Sequence, residues 1–162
     1  TRSAIVSWAR DVYKRQVSSK AVSDPYQGRP GSCVLTEQNL QQTIEVSVQV
    51  HYLDSESSSE EERYAFAYTI TISNRGAVPS QLLNRHWIIT DGRGEVQEVA
   101  GPGVVGQQPR LSSGEQFTYT SGAVLKTPVG TMEGSYQFCI DSGELFDVPI
   151  PVFSLRVPKM VH

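Results

Sequence analysis

Two stretches of this chain alternate apolar and polar or small residues with a period of two, and that alternation constrains the fold more than any other feature. Ile44, Val46, Val48, Val50 and Tyr52 are separated by Glu45, Ser47, Gln49 and His51. Tyr64, Phe66, Tyr68, Ile70 and Ile72 are separated by Ala65, Ala67, Thr69 and Thr71. Successive side chains of a strand point to opposite faces, so each stretch presents its apolar set to one side. Strands are therefore expected over residues 43–53 and 63–73. The intervening run from Asp54 to Glu62 is rich in Ser and Glu; it repels itself and has nothing apolar to bury, which predicts a mobile connection.

The pattern continues in shorter segments. Residues 81–90 form a third strand with Leu83, Arg85, Trp87 and Ile89 on one side, and Leu82, Asn84, His86 and Ile88 on the other. Asp91, Gly92, Arg93 and Gly94 make a hairpin turn into a fourth strand over residues 95–100. Phe117 and Tyr119 mark a fifth; Met132, Tyr136, Phe138 and Ile140 a sixth; residues 145–150 a seventh; and Phe153, Leu155 and Val157 close the chain. Pro149 and Pro151 lack amide donors, which places them on an edge or at a sheet switch. Seven or eight short strands without a helical stripe predict an all-β fold, an antiparallel β-sandwich of immunoglobulin or fibronectin type III kind, with a closed barrel as the alternative. Trp87 is expected to be buried on the third strand.

Length and charge set the domain organisation. A chain of 162 residues suits one domain with a tail. Residues 1–42 carry six Lys/Arg against three Asp/Glu, whereas residues 43–162 carry eight against fourteen. The basic first part has no sustained periodicity and is expected to be mostly disordered, with the folded domain over residues 43–158. Residues 6–16 also resemble a translated linker found at the ends of gene models, so part of the tail is expected to be non-native. An acidic domain is a poor partner for nucleic acid, and no apolar run reaches the length of a membrane span. Two cysteines, Cys33 and Cys139, are too few for a disulfide scaffold. A cytoplasmic setting follows as the default.

Chemistry-bearing residues are sparse. Gly101, Pro102, Gly103, Val104, Val105 and Gly106 spell a G-x-G-x-x-G loop, which can cradle a pyrophosphate where it opens a helix in a βαβ unit. Here it lies in an all-β region before Gln107, Gln108 and Pro109, and Pro102 removes one amide. It is expected to be a shaped loop; the alternative is a backbone anion nest helped by Arg93 or Arg110. His51 and His86 stand alone, without grouped ligands, so no metal site is expected. Cys139, between Phe138 and Ile140, reads as a small strand hydrophobe. No nucleophile elbow or triad stands out, and no cofactor is implied.

Three segments acquire meaning together: residues 85–91 (Arg85, His86, Trp87, Ile88, Ile89, Thr90, Asp91), the glycine loop through Pro109, and residues 130–136 (Gly130, Thr131, Met132, Glu133, Gly134, Ser135, Tyr136). In that order, with Phe146, Asp147, Val148, Pro149, Ile150 and Pro151, they closely resemble the ApaG family over residues 43–158. The resemblance implies a fibronectin-like sandwich in a bacterial cytoplasmic protein, with a loose genetic link to cobalt resistance and magnesium efflux and no known reaction. Related domains in F-box proteins and in a polymerase-interacting protein imply a recognition module. Family members often carry Cys after the fifth strand, where this chain has Ser121, Gly122, Ala123, Val124 and Leu125; that departure weakens any thiolate metal site.

The function expected is a non-catalytic module that binds another protein through Gly101, Gly103, Gly106, Arg110, Arg85, His86 and Trp87. The alternative is a domain for phosphate or nucleotide ligands that uses the loop over residues 101–106.

Overall fold

In a computed structural model, which describes residues 37–159, the chain forms eight strands, a short 3-10 turn and a single α-helical turn. The turn, α1, spans Glu37–Gln41. The strands are β1 (Ile44–Tyr52), β2 (Tyr64–Asn74), β3 (Ser80–Asp91), β4 (Val96–Pro102), β5 (Arg110–Leu111), β6 (Gln116–Leu125), β7 (Val129–Ile140) and β8 (Leu145–Arg156). They pair antiparallel in two sheets, one ordered β1-β2-β6 and the other β4-β3-β7-β8 with β5 also on β3. This is the predicted antiparallel sandwich; the two sheets do not close into a barrel.

The alternation read from the sequence sets the inner faces except on β3, where a register shift between Leu82 and Asn84 turns Leu82 and Trp87, expected on opposite sides, to the same inner face. Phe66, Ile70 and Ile72 of β2 meet Leu82, Trp87, Met132, Tyr136, Phe138, Phe146, Val148 and Leu155 of the facing sheet, all buried. Trp87 is edge-on to Tyr136 and Phe153 with ring centroids 6.1 and 5.9 Å apart, a favoured aromatic geometry. Pro149 and Pro151 lie on β8, at the edge of its sheet, where the missing amides cost no ladder bond. Pro151 and Val152 together oppose Glu133, a bulge that joins the two segments read as separate into one strand.

Two further readings change. Residues 1–36, with the linker-like stretch and Cys33, lie outside the described residues, but the domain begins before residue 43: α1 packs on β8 and Leu40 is buried in the core. An apolar residue isolated among polar ones has no periodicity to reveal it. The connection over residues 54–62, expected to be mobile, is tied down. Ser57 Oγ donates to the Leu53 carbonyl at 2.7 Å and accepts the Ala65 amide at 2.9 Å, and Ser58 pairs with Arg63. Backbone hydrogen bonds order a segment that charge alone would expand. Its 3-10 turn at Asp54–Glu56 contacts β2, on which Ala65 and Ala67 are buried although they point away from the sandwich interior.

Candidate functional site

β4 and β5 are two halves of one edge, both paired with β3, and the glycine loop is the excursion between them. Its base is pinned to β3 on both sides. The Gly103 amide donates to the Leu83 carbonyl at 2.8 Å, and the Leu82 amide donates to the Pro109 carbonyl at 3.0 Å. A register shift of β3 against β7 between Leu82 and Asn84 allows Leu83 to serve the loop. Val104 and Gln107 exchange amide-to-carbonyl bonds of 2.8 and 2.9 Å around Val105 and Gly106, whose φ values are 45° and 78°. Two central residues with positive φ are the pattern of a type I′ turn.

Each glycine in the loop has a separate reason. Gly103 has φ 64°, and a Cβ there would stand 2.4 Å from the Gln107 carbonyl oxygen. Gly106 has φ 78° but open space around it. Gly101 has neither restriction on φ nor backbone crowding; its missing Cβ leaves room for the Arg85 guanidinium. Val105 is the residue that the motif did not single out. A β-branched side chain at positive φ is strained, and packing of Val105 against the core offsets that cost.

Arg85 pairs with Gly101 across β3 and β4, and its Nη1 donates to the carbonyls of Pro102 at 3.0 Å and Gly103 at 2.9 Å. The loop thus turns carbonyls toward the cation, while the amides of Gly103, Val104 and Gln107 are used by backbone acceptors. Behind Arg85, in the core, stand Tyr68, Tyr119 and Tyr136, with the Tyr119 and Tyr136 hydroxyls hydrogen-bonded to each other. Burial pushes all three phenols above their ordinary value, and the nearby Arg85 charge opposes the rise only in part.

The residues singled out in the sequence divide. Arg85, His86 and Gly101 line one open groove of about 350 Å³, with Asn84, Pro102, Ser135, Gln137 and Asp147. Asn84 Nδ2 donates to Gln137 Oε1 at 2.7 Å across its floor, and His86 Nε2 lies 3.5 Å from Glu98 Oε1. Gly103 adjoins the groove and Gly106 forms the exposed loop tip. Trp87 is buried in the core instead. Arg110 is paired with Asp141 at 2.7 Å, at the turn between β7 and β8. Among the described residues no group of three or more His, Cys, Asp or Glu side chains could hold a metal. Asn84, Ser135, Gln137 and Asp147 were not singled out as site residues, because polar residues on the outer face of a strand look alike until pairing aligns them.

These features define a small antiparallel β-sandwich with a pinned glycine loop in a split edge strand and a polar groove beside it. An ApaG domain profile matches residues 54–139. Protein ApaG of Pseudomonas aeruginosa is 57% identical over 124 residues, which covers 76% of this chain and 98% of that protein. Protein ApaG of Aromatoleum aromaticum is 54% identical over 119 residues, or 74% of this chain and 94% of the relative. A crystal structure of an ApaA protein from Bordetella pertussis superposes with a TM-score of 0.70 at 50% identity, covering 72% of this chain and 95% of the other. The chain belongs to the ApaG family.

Proposed function

We propose that this ApaG domain is a non-catalytic binding module that offers the glycine loop and the groove beside Arg85 and His86 to another protein. The observation that carries the reading is the internal commitment of the loop. Its base amides and the Arg85 cation are used within the domain, so what remains outward is a fixed shape. A phosphate nest needs converging unused amides. Here Arg110 serves Asp141 and Arg85 serves two carbonyls, which favours protein recognition over the phosphate-ligand alternative.

The module works in the cytoplasm in this reading, and any part it takes in cobalt or magnesium handling runs through its partner, because no metal-ligand cluster exists among the described residues. A photo-crosslinking residue placed at Gln107 in cells should give a discrete protein adduct, and one placed at Gly143, in the β7–β8 turn, should not. The reading is overturned by a saturable rise in melting temperature with ATP, GTP, pyrophosphate or a dinucleotide at roughly millimolar concentration that disappears in Gly103→Val.

A further inference from the structure

Among the described residues, β4 is an edge whose hydrogen-bonding groups are only partly used. The Leu83–Gly103 and Asp91–Glu95 bonds fix its parity, so Glu95, Gln97, Val99 and Gly101 direct their backbone groups to β3. Val96, Glu98 and Ala100 therefore direct theirs away from the sheet, and β4 ends the strand order. Pro102, next in that row, has no amide, and its carbonyl is taken by Arg85. The cation stands where a neighbouring strand would be and closes that end of the edge. The opposite edge, β8, is blunted by Pro149, Pro151 and a bulge.

We propose that β4 accepts an extended, basic segment of a partner protein as an added strand, paired to Val96, Glu98 and Ala100 and stopped at Pro102 by Arg85. The inference rests on the binding-module reading and names how the partner is held. Backbone pairing would supply the attachment, and the side chains beside it would supply the choice. Val96 is 61% exposed and offers an apolar neighbour. The Glu98 side chain is 66% exposed and asks for Lys or Arg opposite it, as does the net acidity of residues 43–162. A second copy suits the edge poorly. Antiparallel pairing of two β4 strands through all three residues sets Glu98 opposite its own copy, a like-charge pair that destabilises a sheet.

The experiment titrates the ¹⁵N-labelled full chain with two synthetic peptides of about nine residues, alternating Val and Thr around a central Lys or a central Glu. The Lys peptide should shift the Val96, Glu98 and Ala100 amides saturably and slow their hydrogen exchange, and the Glu peptide should bind at least about tenfold more weakly. Ala100→Pro removes one outward donor without touching the bonds to β3 and should abolish the shifts. Glu98→Lys should reverse the preference between the peptides, and it decides the matter alone if Ala100→Pro does not fold. No saturable shift at these amides overturns the proposal. Binding that shifts the groove or loop and survives Ala100→Pro also overturns it, while leaving the module reading intact. Sedimentation that shows a dimer lost in Ala100→Pro would assign the edge to a second copy and equally overturn it.

Discussion

Arg85 and Gly101 face each other across β3 and β4, and a Cβ on Gly101 would lie 3.2 Å from the Arg85 Nη1. The glycine is there for its neighbour: its own φ is not in the left-handed region, and its empty side is the passage by which the guanidinium reaches the Pro102 and Gly103 carbonyls. A loop that looks like a phosphate cradle in the sequence is held from within by a cation.

That relationship predicts coupling. Arg85→Ala should cost about 1–2 kcal/mol through the two lost charge-assisted bonds, and Gly101→Val should cost a similar amount by displacing the guanidinium. The double variant should fall well short of the sum, because each change removes the same contact. Urea denaturation of the four proteins measures the coupling; full additivity would refute it. Arg85→Lys should not rescue, since an ammonium lacks the planar fork.

The two left-handed glycines of the loop should respond differently. Gly106→Ala meets open space and carries only the backbone penalty, about 1 kcal/mol. Gly103→Ala adds a collision with the Gln107 carbonyl at 2.4 Å and should cost more, about 2–4 kcal/mol. Equal melting temperatures for the two variants would contradict this assignment.

Alkaline pH should unfold the domain through its tyrosines. Tyr68, Tyr119 and Tyr136 have folded-state values raised above the ordinary 10.0, chiefly by burial. The unfolded chain then releases their protons first, so their contribution is fully present below about pH 10 and is lost as pH rises above it. Each tyrosine adds a slope of up to about 1.4 kcal/mol per pH unit. Stability measured between about pH 9 and pH 11 should steepen downward, and Tyr119→Phe should flatten that fall while leaving the neutral-pH curve shape unchanged.

Truncation should locate the true start of the domain. Leu40 is 1% exposed, and the Thr43 hydroxyl donates to its carbonyl at 2.7 Å. Leu40→Ala, or a chain begun at residue 43, should lose about 2–4 kcal/mol by calorimetry. A chain begun at residue 37 should melt like the full-length protein.

The long strands and most of their faces were written in the sequence of this protein, because a period of two needs only local geometry to say which side of Ile70 or Phe138 is buried; the two-residue β5 had no alternation to reveal it. Gly94 in its hairpin turn was legible for a similarly local reason, a φ requirement that one residue type meets. Other features depended on what lies beside them. The alignment of β4 and β5 along β3, the passage of Arg85 at Gly101, the positive φ of Val105 and the meeting of Asn84 with Gln137 all join residues from separate segments. Leu82 shows the division in one residue: alternation set it on the side opposite Trp87, but the register shift against β7 between Leu82 and Asn84 puts both in the core. Local stereochemistry decides what a segment becomes, and only the packing of the two sheets decides which polar groups are consumed inside the domain and which are left to face a partner.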